Sequence, residues 1–432
     1  MNKMPYEHIK EVKDQARITP IEAFPDPKTA IVILNQHSGK SLSSLVAVDD
    51  IVAIGQKIAS SKERISSPVH SPISGKVTKI GTIYNHCSES FADAIFIEND
   101  GKKTKAKEFS PISESELEKT KPADLLDIIR EAGIIGLGGA GFPTHIKLSP
   151  PTEFPIKNLV VNATEGEPYD TADERLLIEK TANLVRGINV LKKILGNPKV
   201  TIATKASKVE AVPILQKAFC SCDDSAVTVV AGHFKYQQGD ASILQKALFG
   251  YETPPTKRSY EMGCIVQNVA TINAIANAVF EGEPLISRVV AFNGDIAQPK
   301  NLLVKIGTPI SDIFNQNNID MNDIRQVVVG GVMMGHAIPT TEAPITKRSS
   351  SIVAFSESKY KKIQKQTACI HCSKCISACP VRLHPIMIYN AIMKPDFDTV
   401  EKLWNKDCIG CGTCSYVCPS RIPLANTIMT SR

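Results

Sequence analysis

The chain has 432 residues, 43% hydrophobic and 22% charged, with 12 cysteines and a net charge of +6. That length and apolar content suit roughly three or four domains, each with its own core. No window approaches the roughly twenty uninterrupted apolar residues of a spanning helix, and the irregularly spaced cysteines Cys87, Cys220, Cys222 and Cys264 read as free buried thiols rather than a disulfide framework. The positive charge is scattered, with local runs at 102–107 and 359–365, and no basic stretch is interleaved with aromatic residues. Solvated faces explain it better than a nucleic-acid platform does.

Taken in order, residues 28–100 show short strand signals at 30–34, 45–48, 55–58 and 68–77, divided by turn residues. A small all-β unit is expected. The phrases Val48-Asp49-Asp50-Ile51-Val52-Ala53-Ile54-Gly55-Gln56 and Ser71-Pro72-Ile73-Ser74-Gly75-Lys76-Val77 resemble barrel-sandwich hybrids of biotinyl and lipoyl domains. The segment 59–65 is not an acceptor-lysine motif, so Lys62 is expected to be an ordinary exposed lysine and the unit a docking module.

From about 121 helices and strands alternate: a helix over 125–133, a buried strand at 158–162, a long helix over 171–195 opened by a capping box at Thr171 and Glu174, a strand at 200–203, a helix over 207–219 and a strand at 227–230. An α/β sheet covered by helices follows. After 288 the strand signals 289–293, 302–305 and 325–330 surround one short helix at 309–314, a β-grasp pattern. The run 356–365 reads as a linker to the cysteine-rich end; contact with an acidic carrier or anionic lipid is the lesser reading.

Gly136-Leu-Gly138-Gly139-Ala-Gly141 satisfies G-x-G-x-x-G, yet a helix precedes it and Pro143 stands where a Rossmann helix opens, which disfavours the plain dinucleotide fingerprint. Residues without Cβ still let backbone press against a phosphate or a flat ring such as a flavin; a glycine-rich turn packing helix on sheet is the alternative. The acids Glu165, Glu167 and Asp173 follow the strand ending at Asn162, where open α/β sheets bind ligands, or else decorate a surface loop.

The most informative feature is a repeated phrase: Cys369-x2-Cys372-x2-Cys375-x3-Cys379-Pro380 and Cys408-x2-Cys411-x2-Cys414-x3-Cys418-Pro419. Three thiolates at this spacing hold one cubane, while the fourth, set back and followed by proline, reaches the other. The predicted quartets are therefore Cys369, Cys372, Cys375, Cys418 and Cys408, Cys411, Cys414, Cys379, each with a [4Fe–4S] cluster. Four-cysteine zinc knuckles are the alternative, but they pair two C-x2-C units through a longer spacer and have no use for the trailing Cys-Pro. Oxygen-sensitive clusters, free thiols and an N-terminus without an apolar stretch favour a cytoplasmic location.

These runs, together with Pro68-Val-His-Ser-Pro, the glycine loop through Leu148, residues 162–173, Gln267-Asn-Val-Ala-Thr271 and Gly330-Gly-Val-Met-Met-Gly335, resemble the RnfC/RsxC subunit of the membrane-bound Rnf electron-transport complex over nearly the whole length. The α/β part is similar to the NADH-oxidising flavoprotein subunit of respiratory complex I. The resemblance implies a multidomain α/β fold: a barrel-sandwich-hybrid-like unit at 1–110, an α/β FMN- and NAD(H)-binding core at 120–284, an SLBB β-grasp domain at 285–356 and a helical two-[4Fe–4S] ferredoxin domain at 365–432. It implies FMN and nicotinamide contacts at Gly138, Gly139, Gly141 and Lys147; at Asn162, Glu165 and Glu167; at Tyr236, Gly239 and Asp240; and at Asn268 and Thr271. It does not nominate an acid–base catalyst. Two departures stand out: Gly166 replaces a cysteine found in many relatives, and Tyr236-Gln-Gln-Gly-Asp240 replaces Tyr-Pro-Ser-Gly-Gly. The long Ala/Lys/Glu-rich C-terminal extension of some relatives is expected to be absent.

The implied activity is that of an ion-translocating NAD:ferredoxin oxidoreductase subunit, peripheral on the cytoplasmic side of the inner membrane. Its implied partners are the A, B, D, E and G subunits of that complex, NADH and ferredoxin. The chemistry is consistent, because a nicotinamide gives two electrons together, a cubane takes one, and a flavin converts between them. A soluble flavin and iron–sulfur reductase similar to metabolosome cobalamin reductase, and a flavin-free electron-relaying adaptor, are the competing expectations.

Overall fold

The computed structural model describes residues 9–431 apart from 108–109, 221–226, 255, 360–364 and the Cys220 side chain. The expectations for Cys220, Cys222 and most of the basic run 359–365 thus lie outside the described residues, as do residues 1–8.

Residues 29–99 fold into two small sheets. One has the order Thr29–Ile33, Ser90–Asn99, Gly75–Asn85, Ile51–Val52; the other has Ser43–Ser44, Lys57–Ser60, Val69–His70. Period-two alternation sends Ala30 and Val32 into a core with Ile58, Val69, Val77, Ile95 and Ile97, and Ile31 and Ile33 to the opposite face. The strand expected at 45–48 does not form. Pairing falls instead on Ser43–Ser44, opposite Ser60 and Ala59, and the chain turns at Asp49 with φ +77°. Lys62 is exposed.

Residues 9–27 pack elsewhere. Val12 N–H donates to the Pro168 carbonyl at 2.9 Å, and Ile21–Ala23 runs parallel to Lys300–Lys305 as the edge of a six-stranded sheet. That sheet continues through Ser287–Gly294, Ser351–Ser356, Ile324–Val329 and His336–Ile338. Helix Ile310–Gln316 covers it, with the Phe314 ring edge-on to Phe292 at 5.3 Å. One helix over a mixed sheet is a β-grasp-like arrangement.

Between these units lies an all-parallel sheet, Val227–Gly232, Lys199–Lys205, Asn158–Ala163, Cys264–Asn268. Its central strand is apolar on both faces because both are covered. Leu159 and Val161 meet the large core that includes residues of helices Pro122–Glu131, Thr181–Leu195 and Val269–Phe280; Val160 meets helix Ala241–Phe249 through Leu244. Each large side chain so buried stabilises the fold by about 1.5–3 kcal/mol.

The single helix expected over 171–195 is two helices, Ala172–Glu179 and Thr181–Leu195, broken at Lys180 (φ −124°, ψ 30°). Nor does the capping box form. Thr171 Oγ1 donates to Asn301 Oδ1 at 2.7 Å, and Glu174 pairs with Arg17 at 2.9 Å, so the first amides of the helix find another acceptor, described below.

The C-terminal region carries the short helices Lys374–Ser377, Pro385–Met393, Phe397–Lys402, Thr413–Tyr416 and Leu424–Thr430. Cys369, Cys375, Cys414 and Cys418 belong to one of its apolar clusters and Cys379 and Cys408 to the other. Among the described residues no helix is long and apolar enough to cross a membrane.

Candidate functional site

Because all four strands of the parallel sheet point one way, Ala163, Lys205, Gly232 and Asn268 end at one edge, the place where sheets of this kind form their ligand crevice. The glycine loop lies beside it. Ile135 bridges to Pro143, Gly136 N–H donates to the Phe142 carbonyl at 2.8 Å and Gly141 N–H to Gly136 at 3.2 Å, closing a small ring of backbone. Three distant groups fix the ring: Thr271 Oγ1 accepts from Leu137 N–H at 2.9 Å, Ser38 Oγ donates to the Ala140 carbonyl at 2.6 Å, and Arg348 Nε donates to Gly139 at 2.8 Å.

Gly138, Gly139 and Ala140 are left exposed, and Gly139, at φ +117°, has no atom within 4 Å of where a Cβ would stand. Bare backbone therefore faces open space, the cradle a phosphate or flat ring needs. Gly138 adjoins the Asn268 side chain and Gly141 that of Arg348. Lys147 donates to the Val266 carbonyl, and burial lowers its pKa to about 8.

Most of the polar residues expected at the crevice spend their hydrogen bonds on building it. Asn162 Nδ2 donates to the Gly239 carbonyl at 2.8 Å, holding the 236–239 turn against the central strand. Asp240 caps helix Ala241–Phe249, accepting from Ser242 N–H at 2.9 Å, and Asn268 caps Val269–Phe280, accepting from Ala270 N–H at 2.9 Å. Asn268 also donates to Asp173 Oδ2 at 2.5 Å.

Glu165 supplies the acceptor missing from helix Ala172–Glu179, taking Asp173 N–H at 2.7 Å on Oε1 and Lys208 Nζ at 2.9 Å on Oε2. Burial acts to raise its pKa, but the charges of Lys208 and Lys13 outweigh that and hold it below the usual range. Burial, and then the Glu165 charge, push Asp173 upward. Glu167 faces the other way. Its two oxygens accept Met333 and Met334 N–H, each at 3.0 Å, and burial, then the charge of Asp170, raises it to about 8.

Here the crevice meets the cysteines. Tyr236, 7% exposed, donates its hydroxyl to the Cys411 carbonyl at 2.8 Å. Gly412, at φ +74°, lies so close to the Met333 carbonyl that a Cβ would stand 2.8 Å from it. Arg382 pairs with Glu252 at 3.0 Å across the same seam. The loop 408–414 is thus clasped between the 236–239 turn and the 330–335 loop that Glu167 holds.

The two quartets come together crosswise. Cys408, Cys411, Cys414 and Cys379 line one cavity, and Cys369, Cys372, Cys375 and Cys418 line another. Among the described residues no three His, Cys, Asp or Glu converge closely enough to hold a single metal ion. Sulfurs spread around a void suit a cubane, whereas tetrahedral zinc draws four to about 2.3 Å of one centre. Burial pushes the Cys379 thiol up to about 11 and the Cys414 thiol up to about 12. Iron supplies the positive charge that deprotonates such thiols.

Sequence reading missed Lys13, Lys208, Arg348 and Met333. No spacing announces them; Lys13, 2% exposed, donates to the carbonyl of Glu165, 152 residues away.

Residues 7–102 match the RnfC barrel sandwich hybrid domain, 129–277 the Nuo51 FMN-binding domain and 352–424 the 4Fe-4S dicluster domain. The chain is 37% identical over 382 residues to its counterpart in the proton-translocating ferredoxin:NAD(+) oxidoreductase complex of Clostridium ljungdahlii, covering 88% of this chain and 82% of that one. It is 36% identical over 424 residues to its counterpart in the ion-translocating oxidoreductase complex of Haemophilus influenzae, covering 96% of this chain but 63% of the relative. It covers 50% of the Pectobacterium carotovorum counterpart. A chain of an NAD+-reducing [NiFe]-hydrogenase in the H2-reduced state shares the fold, with a TM-score of 0.50 at 17% identity, covering 76% of this chain and 66% of that one.

Proposed function

The chain belongs to the RnfC family of subunits of ion-translocating oxidoreductase complexes, and from that premise we propose that it passes electrons between NAD(H) at the glycine crevice and two [4Fe–4S] clusters in the cysteine quartets. The observation that carries this reading is the clasp: the Tyr236 hydroxyl on the Cys411 carbonyl joins the crevice directly to the second quartet.

FMN bound at the crevice supplies the conversion of a two-electron hydride into single electrons. The residues provide its setting. Gly138, Gly139 and Ala140 offer backbone without a side-chain barrier, Thr271 and Arg348 keep that backbone fixed, and the capped helices behind Asn268 and Glu165 keep the walls rigid. The Met333 loop, held by Glu167, lies on the side toward the cysteines. The sites are ordered crevice, Cys408 quartet, Cys369 quartet.

The chain acts as a peripheral subunit on the cytoplasmic face of a membrane complex with A, B, D, E and G subunits, the far end of the relay being ferredoxin. Anaerobic reconstitution followed by assay of iron, sulfide and flavin, and by NADH titration, tests the proposal. Bleaching of a bound flavin together with cluster reduction is expected. Clusters without flavin, unresponsive to NADH, would leave only the adaptor role.

A further inference from the structure

We propose that Arg348, a residue of the β-grasp-like unit, binds a phosphate of a nucleotide held at the glycine loop. This rests on the crevice reading above and deepens it by naming a cation that the loop itself lacks.

The carbonyls of the loop are all taken. Gly139 accepts from Arg348 Nε at 2.8 Å, Ala140 from Ser38 Oγ at 2.6 Å and Gly141 from Ser38 N–H at 2.9 Å. The amides are not. Among the described residues the N–H groups of Gly138, Gly139 and Ala140 find no acceptor, and all three residues are exposed. Successive free amides beside bound carbonyls favour an anion.

Arg348 brings the positive charge to this place. A guanidinium has five N–H donors, of which Nε carries one. The four on its terminal nitrogens meet no acceptor among the described residues, and no carboxylate there pairs with the side chain. Its stem is held as well: a Cβ on Gly141, at φ +66°, would stand 2.8 Å from Arg348 Cδ, so glycine leaves the room that the arginine fills.

The backbone beneath is equally fixed. Ser349 N–H donates to the Thr346 carbonyl at 3.2 Å, Arg348 N–H to Thr346 Oγ1 at 3.2 Å, and His86 Nε2 lies 2.8 Å from Ser349 Oγ. Lys347 donates to the Pro68 and Gly133 carbonyls at 2.7 and 2.6 Å. A guanidinium tethered through Nε and stem loses little freedom on binding, and its two terminal nitrogens can take two oxygens of one phosphate. Three units build this anion site: the α/β core gives amides, the barrel-sandwich unit Ser38 and the β-grasp-like unit the cation. The monophosphate of FMN and the pyrophosphate of NADH share the required chemistry.

The test uses the full chain with both clusters reconstituted anaerobically. Arg348→Gln keeps a donor for the Gly139 carbonyl and removes the charge; Arg348→Lys keeps the charge. Two ligand pairs separate the phosphate from the rest: FMN against riboflavin by equilibrium dialysis, and NADH against reduced nicotinamide riboside by kcat/KM at saturating flavin. Arg348→Gln should weaken FMN or NADH about tenfold and its phosphate-free counterpart by under about twofold, with iron and sulfide unchanged, and Arg348→Lys should recover part of the loss. Loss at FMN assigns the flavin phosphate, and loss at NADH the dinucleotide. Equal loss within each pair, or no loss, overturns the proposal and leaves Arg348 as a brace for the loop. Should Arg348→Gln weaken FMN selectively while NADH fails to reduce the clusters of the wild-type protein, the phosphate site stands and the relay reading falls.

Discussion

The two cysteine runs are near-copies in sequence and opposites in setting. The loop 369–375 faces outward, with Cys372 exposed and Lys374 unpaired among the described residues; the loop 408–414 lies under Tyr236 and Met333, with Cys411 half-buried and Gly412 pressed on a carbonyl. Spacing within each run decides which sulfurs can share a cubane. Contacts made by the rest of the chain decide which cubane communicates with the crevice and which with the outside.

The largest expected effect breaks the symmetry of the runs themselves. Cys418→Ala should halve iron and sulfide by removing the cluster of the first run, although Cys418 lies in the second; Cys379→Ala should do the reverse. Electron paramagnetic resonance of each variant identifies the survivor, and loss of the cluster nearest in sequence would disprove crosswise ligation.

Gly139→Leu comes next. Its backbone angle costs the fold about 1–3 kcal/mol, and a Cβ there has no protein atom within 4 Å. Flavin should be lost while both clusters remain, measured by absorbance and iron assay.

Tyr236→Phe removes one hydrogen bond, about 1 kcal/mol, and should slow NADH-driven cluster reduction several-fold in stopped-flow traces, with flavin and iron unchanged. An unaltered rate would mean that the clasp does not position the second quartet.

The effect with the least bearing on the electron path concerns the scaffold away from both runs. His86 sits between Thr346 Oγ1 at 3.1 Å and Ser349 Oγ at 2.8 Å, and burial lowers its pKa to about 3. From pH 6.5 downward the unfolded chain takes up a proton that native His86 refuses. Stability therefore falls with pH across that window, by up to about 1.4 kcal/mol per unit from this ring. His86→Gln should flatten the acid limb of urea midpoints against pH without changing cluster content.

Much of this was legible from residue pattern. The apolar run at 158–162, the short helix after Pro309 and both cysteine phrases announce their structures because local period or spacing suffices. What was not legible depends on distant partners. The 171–195 period hides a break at Lys180, the Thr171–Glu174 box is dissolved by Asn301 and Arg17, and Ile21–Ala23 finds its strand partner far along the chain. At the site, the glycine loop stands out as a motif, whereas the structural part of Glu165, a helix cap braced by two buried lysines, is announced by no motif.

The most direct test of the central claim is the rate at which NADH reduces the surviving cluster in Cys418→Ala and in Cys379→Ala, followed by freeze-quench electron paramagnetic resonance. With the Cys408 quartet intact, reduction should proceed at the wild-type rate. With only the Cys369 quartet left, it should be at least about a hundredfold slower, the exchange having lost its intermediate site. Equal rates, or the opposite order, would contradict the placement of the second quartet at the crevice.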